Sequence, residues 1–218
     1  MSEAPCVYPK TSGPKRITNE KGGSSVNKNK RTHKTKPEQH NMNLTYRTID
    51  HNSADDCELL ARWYNDRSSR HLHILFTSAE NAAEIFTPEH FQRMGQGFSA
   101  ESTRHDLMVL VDGVPAGEAR IEMDPPKLLT KRPNTAWIYL MIADPNFRRR
   151  GLGTRIIDDL ESLAVDAGAE RIEAGIFEYN APSLSFFIRR GYTEFQRRLN
   201  RIWWNGRMWN EVRLLKTL

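Results

Sequence analysis

Cysteine is scarce in this 218-residue sequence, which contains only Cys6 and Cys57. Two cysteines cannot build a disulfide framework, so a reducing compartment is expected. Long apolar runs are also missing, because the longest one, residues 137–143, is far too short to cross a bilayer. No apolar segment typical of a secretory signal lies near the N-terminus. We therefore expect a cytoplasmic protein without membrane contact.

Positive charge is distributed unevenly along the chain, whose net charge is +5. Residues 1–42 hold nine Lys or Arg and three acids, or +6, so residues 43–218 carry −1. Residues 1–42 have almost no large apolar side chain and cannot bury enough surface to offset chain entropy. We therefore predict a basic, disordered extension at 1–42 and one folded domain at 43–218. The extension is either a passive tail or an arm that contacts nucleic acid or a ribosome.

Beyond residue 42, hydrophobic periodicity predicts both strands and helices. The unit at 136–177 reads strand, helix, strand and should form a right-handed parallel crossover, whereas residues 107–123 should form an antiparallel hairpin. We therefore expect an α/β (α+β) fold with a mixed sheet and helices on both faces. Strands are predicted at 44–49, 107–111, 116–123, 136–142, 171–177, near 192–199 and near 207–215, and helices at 54–66, 87–98, 151–168 and 181–191.

The heptapeptide RRRGLGT, Arg148 to Thr154, joins a buried strand to a helix. A helix N-terminus binds anions through its free backbone N–H groups and its partial positive charge. Gly151 and Gly153 leave the main chain accessible, and three arginines add charge suited to phosphate. A Walker loop is excluded because Thr154 and Arg155 follow the second glycine, and the dinucleotide fingerprint is excluded because residue 156 is isoleucine. A pyrophosphate is therefore a suitable ligand, although an exposed glycine turn would use the same residues.

Two motifs in register make this sequence resemble the GNAT superfamily of acetyl-coenzyme A-dependent N-acetyltransferases. The first is Arg148-Arg149-Arg150-Gly151-Leu152-Gly153, which fits Arg/Gln-x-x-Gly-x-Gly/Ala. The second is NAPSLSFFIRRGY, residues 180–192, which fits Asn-x-x-Ala/Ser-x-x-x-aromatic-x-x-x-Gly-aromatic. Within the superfamily, the second motif is closest to the ribosomal-protein N-terminal and aminoglycoside acetyltransferase branch. The resemblance covers about residues 43–218.

The resemblance implies a fold, a cosubstrate and a binding site. The sheet would be mostly antiparallel, with six to seven strands and a splayed central parallel pair that receives the pantetheine arm of acetyl-coenzyme A. A free edge near the end of the strand 136–142 would bind that arm, and a backbone N–H there would stabilise the oxyanion. Asn180 would bind the pantetheine, cap the following helix, or do both. The implied coenzyme-binding residues are Met141, Ile142, Ala143, Arg148, Arg149, Arg150, Gly151, Leu152, Gly153, Thr154, Asn180, Ser183 and Phe187.

Acetyl transfer to an amine also needs a group that accepts the ammonium proton. Glu118, Arg120 and Glu122 alternate on one face of a strand, which is either a substrate cleft or a solvated face. Glu118 is our first candidate for base or ammonium anchor and Glu122 our second. The superfamily often protonates the leaving thiolate with a tyrosine, but Phe187 stands at that position and has no hydroxyl.

Two aromatic residues of the central strand, Trp137 and Tyr139, are predicted to line the acceptor pocket and to stack on a substrate cation, or else to pack in the core. His71 and His73 have no third ligand at a useful spacing, so no metal site is expected.

The predicted activity is transfer of acetyl to a primary amine, such as a protein N-terminus, an aminoglycoside or another small amine. The alternative is a sensor that binds acyl-coenzyme A or a basic-armed protein associated with nucleic acid, and a homodimer stays open.

Overall fold

A computed structural model describes residues 42–97 and 103–218, so the extension predicted at 1–42 lies outside the described residues except for Met42. Among the described residues no helix is long and apolar enough to span a membrane. The strands are β1 (Leu44–Thr48), β2 (Arg104–Val111), β3 (Val114–Met123), β4 (Thr135–Ile142), β5 (Arg171–Phe177), β6 (Thr193–Trp204) and β7 (Arg207–Thr217). The helices are α1 (Ala54–Asn65), α2 (Ala79–Ala83), α3 (Pro88–Gln96), α4 (Leu152–Asp166) and α5 (Ala181–Arg189).

The strands form one sheet in the order β1-β2-β3-β4-β5-β7-β6. Every neighbouring pair is antiparallel except β4 and β5, which the helix α4 connects as a parallel crossover. The predicted mixed, mostly antiparallel sheet is confirmed. The region at residues 67–87, which has no clear periodicity, folds into the short turn Arg70–Leu72 and the helix α2.

The two faces of the sheet differ in chemistry, as the alternation in β3 predicts. Ala119 and Ile121 belong to the main apolar core, which α4 covers with a stripe of aliphatic side chains including Ile156, Ile157 and Leu160. That stripe recurs at helical spacing, so burial of one face holds α4 against the sheet. The opposite face carries the charged residues of β3 and a second apolar cluster, in which residues of α1 and Phe91 of α3 pack on Met108.

The sheet opens at the parallel strand pair. β4 and β5 pair over only three positions, Thr135 with Arg171, Ala136 with Ile172 and Trp137 with Glu173. Beyond Trp137, β4 continues to Ile142 while pairing only with β3. β5 continues to Phe177 while pairing only with β7. The splay that the resemblance implied is therefore present, and it leaves a gap in the middle of the sheet.

Candidate active site

The first part of the site is the N-terminus of α4, which begins directly after the arginine run. Thr154 donates its backbone N–H to the carbonyl oxygen of Gly151 at 3.1 Å. The backbone N–H groups of residues 149–153 have no hydrogen-bond partner among the described residues. Gly151, the residue before the helix, provides no side-chain cap. Free amides at a helix N-terminus are the groups that bind an anion, so this segment is chemically suited to a phosphate.

The backbone of this turn adopts left-handed conformations at two positions. Arg149 has a φ of 60° and Gly151 a φ of 78°. Left-handed and right-handed residues in close succession turn consecutive N–H groups toward one concave surface, which is a common anion-binding arrangement. A non-glycine residue at positive φ is uncommon, so the strain at Arg149 is consistent with a functional turn.

Arg148 and Gly153 shape the walls around these amides. The guanidinium of Arg148 donates to the carbonyl oxygens of Ile142 and Ala143 at 2.9 and 2.8 Å, so it fastens the turn to the end of β4. A Cβ placed on Gly153 would meet side-chain atoms of Ile142, Phe186 and Leu140 at 3.7–3.9 Å. Gly153 therefore lies on the wall of a cleft that any larger side chain would narrow.

Two adjoining cavities make up the site. An open cleft of about 460 Å³ lies at the α4 N-terminus, and its lining residues are Leu140, Ile142, Arg148, Arg149, Gly151, Leu152, Gly153, Thr154, Asn180, Pro182, Ser183 and Phe186. A second cavity of about 210 Å³ occupies the gap between β4 and β5. Leu140, Asn180 and Ser183 line both cavities. The cleft at the free amides and the cavity in the opened sheet are therefore adjacent.

The strand β4 presents its peptide groups alternately to its two neighbours. Asp124 donates to the carbonyl oxygen of Thr135, and Ala143 donates to that of Ala116, both bonds directed toward β3. Because peptide groups alternate along a strand, Leu140 and Ile142 direct theirs toward the gap. Within the segment Met141–Ala143, where a backbone N–H was expected to be available, Met141 and Ala143 face β3 and Ile142 faces the gap. The amides available at the gap belong to Leu140 and Ile142.

Residues of the second motif lie where the two cavities meet. Asn180 caps α5 by accepting a hydrogen bond from the backbone N–H of Ser183 at 3.3 Å, so its predicted capping role is present. The Ser183 hydroxyl makes no hydrogen bond among the described residues. Phe187 lines the gap and packs edge-to-face on Tyr192. Arg150 lies on the turn and is exposed, and it does not line either cavity.

The aromatic residues of β4 already have cations over their rings. Trp137 and Tyr139 both line the gap, as predicted. Arg213 and Lys127 lie over the ring of Trp137 at 4.6 and 5.2 Å, and Arg120 lies over the ring of Tyr139 at 5.2 Å. Cations of the chain therefore already contact both rings, and stacking on a cation of the substrate stays a prediction.

The acidic residues of β3 lie in an ion-pair network and do not line either cavity. Glu118 accepts hydrogen bonds from Tyr64 at 2.8 Å and from Arg120 at 2.7 Å. Burial raises the pKa of Glu118 above its ordinary value, although the charge of Arg120 opposes that shift. Glu122 pairs with Lys127 at 2.5 Å. Both carboxylates are therefore paired within the chain, and their contact with an acceptor stays a prediction.

Three residues at the gap were missed by the sequence analysis as site residues. His73, Gly175 and Glu211 all line the cavity between β4 and β5. Both ring nitrogens of His73 are buried without a hydrogen-bond partner, and its ring packs edge-on against Tyr64. Burial lowers the pKa of His73 to about 3, so the imidazole is neutral near pH 7. Gly175 and Glu211 lie on β5 and β7, and no local motif marks such positions. Among the described residues no group of His, Cys, Asp or Glu could hold a metal ion.

A sheet opened at one parallel strand pair, with a cleft at the N-terminus of the crossover helix, defines an acetyltransferase fold. The family model described as "Acetyltransferase (GNAT) family" matches residues 57–192. The chain therefore belongs to the GNAT family of acetyltransferases. A search of curated proteins found no match.

Solved structures of GNAT proteins share the fold at low sequence identity. Ribosomal-protein-alanine N-acetyltransferase from Brucella melitensis is 20% identical with a TM-score of 0.62, and the match covers 80% of this chain and 99% of that one. Spermidine N-acetyltransferase from Vibrio cholerae, solved with CoA and spermine, is 12% identical with a TM-score of 0.63, over 80% and 95% of the two chains. An N-acetyltransferase from Staphylococcus aureus Mu50 is 13% identical with a TM-score of 0.62, over 80% and 98%.

Proposed function

We propose that this protein transfers the acetyl group of acetyl-coenzyme A to a primary amine by direct attack within a ternary complex. The proposal is supported by the adjacency of two features, the free amides of residues 149–153 and the gap between β4 and β5. The pyrophosphate would bind those amides and the surrounding arginines, and the pantetheine arm would pass Asn180 and Ser183 into the gap. The acceptor could be a protein N-terminus, an aminoglycoside or another small amine.

The proposed reaction balances with one proton released. The bound ammonium loses a proton, and the nitrogen lone pair then attacks the thioester carbonyl carbon. The C–S bond breaks as the C–N bond forms, and the second nitrogen proton goes to the departing thiolate through water. The net products are the acetamide, free coenzyme A and one proton.

Backbone and side-chain groups of the gap would supply the remaining chemistry. The amide of Leu140 or Ile142 would donate to the oxyanion that develops on the carbonyl oxygen. Glu118 would accept the first proton through the hydroxyl of Tyr64, because its own carboxylate is buried behind that residue. Glu122 is our second candidate acceptor for that proton.

Release of free thiol from acetyl-coenzyme A tests this function. The protein should release coenzyme A when supplied with amines from a panel of N-terminal peptides, aminoglycosides and polyamines, and the acetylated product should appear by mass spectrometry. Coenzyme binding without release on any acceptor would instead favour the second candidate, a sensor that binds acyl-coenzyme A. That candidate draws support from Phe187, which lines the gap but has no hydroxyl.

A further inference from the structure

Glu211 is a buried carboxylate in the gap that the proposed reaction does not yet use. It lies on β7 opposite Phe177 of β5, and only 5% of its surface is exposed. It lines the cavity between β4 and β5 together with Trp137, Tyr139 and His73. A buried carboxylate normally has short hydrogen bonds that offset its loss of water.

The contacts of Glu211 are long compared with those of its neighbour Glu173. Its two oxygens lie 3.2 Å from the Nε of Arg213 and 3.4 Å from an Nη1 of Arg198. The Nε of Arg213 makes no hydrogen bond, so the 3.2 Å approach is a charge contact only. Glu173, by contrast, accepts a hydrogen bond of 2.7 Å from Arg213 and hydrogen bonds of 3.0 Å from the backbone amides of Leu129 and Thr130. Glu211 therefore retains unused capacity to accept a hydrogen bond.

The chain makes room for this carboxylate at Gly175. A Cβ on Gly175 would approach an oxygen of Glu211 to 2.4 Å and the ring of Trp137 to 2.9 Å. Glu211 thus extends from β7 over Gly175 of β5, which the ring of Trp137 approaches from β4. Only a residue without a side chain at position 175 allows this close approach.

The buried charges around Glu211 do not balance. Glu173 and Glu211 contribute two negative charges and Arg213 contributes one positive charge, so the three sum to −1. His73 adds no positive charge near pH 7, because burial lowers its pKa to about 3. Arg198 is partly exposed and makes only its one long contact with Glu211. Arg198 brings the sum to zero only from this partly exposed position, so Glu211 can still contact a ligand cation, and the low dielectric of a gap lined by Leu72 and Leu75 would strengthen that contact.

We propose that Glu211 binds the ammonium group of the acceptor inside the gap between β4 and β5. The inference rests on the proposed function and adds a residue that selects cationic primary amines. Glu211 is the binding residue for the charged substrate, Gly175 leaves room for its carboxylate, and Arg213 makes a charge contact with it. Truncating a charge-assisted hydrogen bond of this kind weakens binding by about tenfold to a hundredfold.

Binding of amines to the coenzyme A-loaded protein tests the assignment without requiring turnover. 2-Phenylethylamine, spermidine and glycinamide are titrated into the loaded protein by calorimetry. We expect the amine that binds the unmodified protein most tightly to bind Glu211→Gln at least tenfold more weakly. The affinity of the variant for coenzyme A should change less than twofold. Gly175→Ala should act in the same direction, because its Cβ displaces the carboxylate.

Glu194→Gln is the matched control, since Glu194 is an exposed carboxylate of β6 that pairs with Arg197. Glu194→Gln should change neither the affinity for the amine nor the affinity for coenzyme A. Unchanged amine affinity in Glu211→Gln overturns the assignment, and so does failure of all three amines to bind the unmodified protein. Failure of the proposed function is distinguishable, because it would appear as amine binding that depends on Glu211 without any release of thiol.

Discussion

Trp137 and Glu173 form the last pair of the parallel ladder, and the sheet opens immediately beyond them. Glu173 is held by Arg213 and by the amides of Leu129 and Thr130, so β5 is fixed at this point by contacts outside the β4–β5 ladder. The β4–β5 pairing therefore ends at a residue that these contacts anchor. This relationship sets the depth to which a ligand can enter the sheet.

A larger side chain at position 153 should block coenzyme binding without unfolding the protein. Gly153→Leu would fill the cleft beside Ile142 and Phe186. We expect affinity for coenzyme A to fall at least tenfold, measured by calorimetry, with little change in Tm. Gly168→Ala is the control, because Gly168 lies at the far end of α4 with a φ of 84° and does not line the cleft. It should cost about 1 kcal/mol of stability through backbone strain and leave coenzyme affinity intact. Equal coenzyme affinity in both variants would contradict the placement of the phosphates.

Proton transfer through Tyr64 should be visible in the pH dependence of turnover. Burial raises the pKa of Glu118, and this group accepts a proton only when ionised, so activity should rise with pH through an inflection above the ordinary range of a carboxyl group. Glu118→Gln should remove that inflection and lower kcat, while Tyr64→Phe should lower kcat with the KM for acetyl-coenzyme A unchanged. Stopped assays across a pH series measure both effects. An unaltered pH profile of turnover in Glu118→Gln would show that another group accepts the proton. Glu122→Gln would then be the next variant to measure.

The buried neutral histidine should make the protein less stable in mild acid. The unfolded chain protonates His73 below about pH 6.5, whereas the folded state resists protonation until the pH approaches its pKa of about 3. Since the unfolded state then binds more protons, stability falls as pH decreases through this window, by about 1.4 kcal/mol per unit.

His73→Phe keeps the ring contact with Tyr64 and removes the titrating group. The difference in unfolding free energy between pH 6.5 and pH 5 should shrink by about 2 kcal/mol in this variant. Urea titrations at both pH values measure that difference. His105→Gln, at an exposed position of β2, should leave the difference unchanged. The same pH dependence in His73→Phe as in the unmodified protein would contradict the buried neutral state.

Replacing only one residue of the Glu173–Arg213 ion pair should strongly lower the free energy of unfolding. Both side chains are almost fully buried and lie 2.7 Å apart. Arg213→Met leaves the carboxylate uncompensated and should lower the unfolding free energy by about 3–5 kcal/mol. Adding Glu173→Gln to that variant should restore part of the loss, because it removes the unpaired charge. Urea unfolding of the single and double variants measures the coupling, and simple additivity would argue against an important charge contribution.

Local pattern was enough to predict the elements that place the cleft at the N-terminus of α4. The run from Arg148 to Gly153 predicts an anion site because helix N-termini have free amides whatever surrounds them. Alternation in β3 predicts that Glu118 and Ala119 face opposite sides, since side chains alternate along any strand. Both features depend on residues adjacent in sequence, so the sequence sufficed.

The lining of the gap between β4 and β5 could not be predicted in this way. Glu211, Gly175 and His73 lie on separate elements that only the folded sheet brings together. The direction of each peptide group in β4 also depends on its register with β3, which sequence periodicity does not fix. Because of that register, the backbone amide of Ala143 donates to the carbonyl oxygen of Ala116, whereas the amides of Leu140 and Ile142 face the gap.

The sequence by itself determined a mixed sheet with a basic, glycine-containing turn before the crossover helix, because short-range periodicity and turn chemistry specify those elements, and its two motifs carried the resemblance to the GNAT superfamily. Tertiary structure alone decided which charges are neutralised and which remain available. Arg120 satisfies Glu118 and Arg213 satisfies Glu173, whereas Glu211 keeps only long contacts in a buried gap. Electrostatic balance depends on distances between residues far apart in the chain, and those distances exist only after folding.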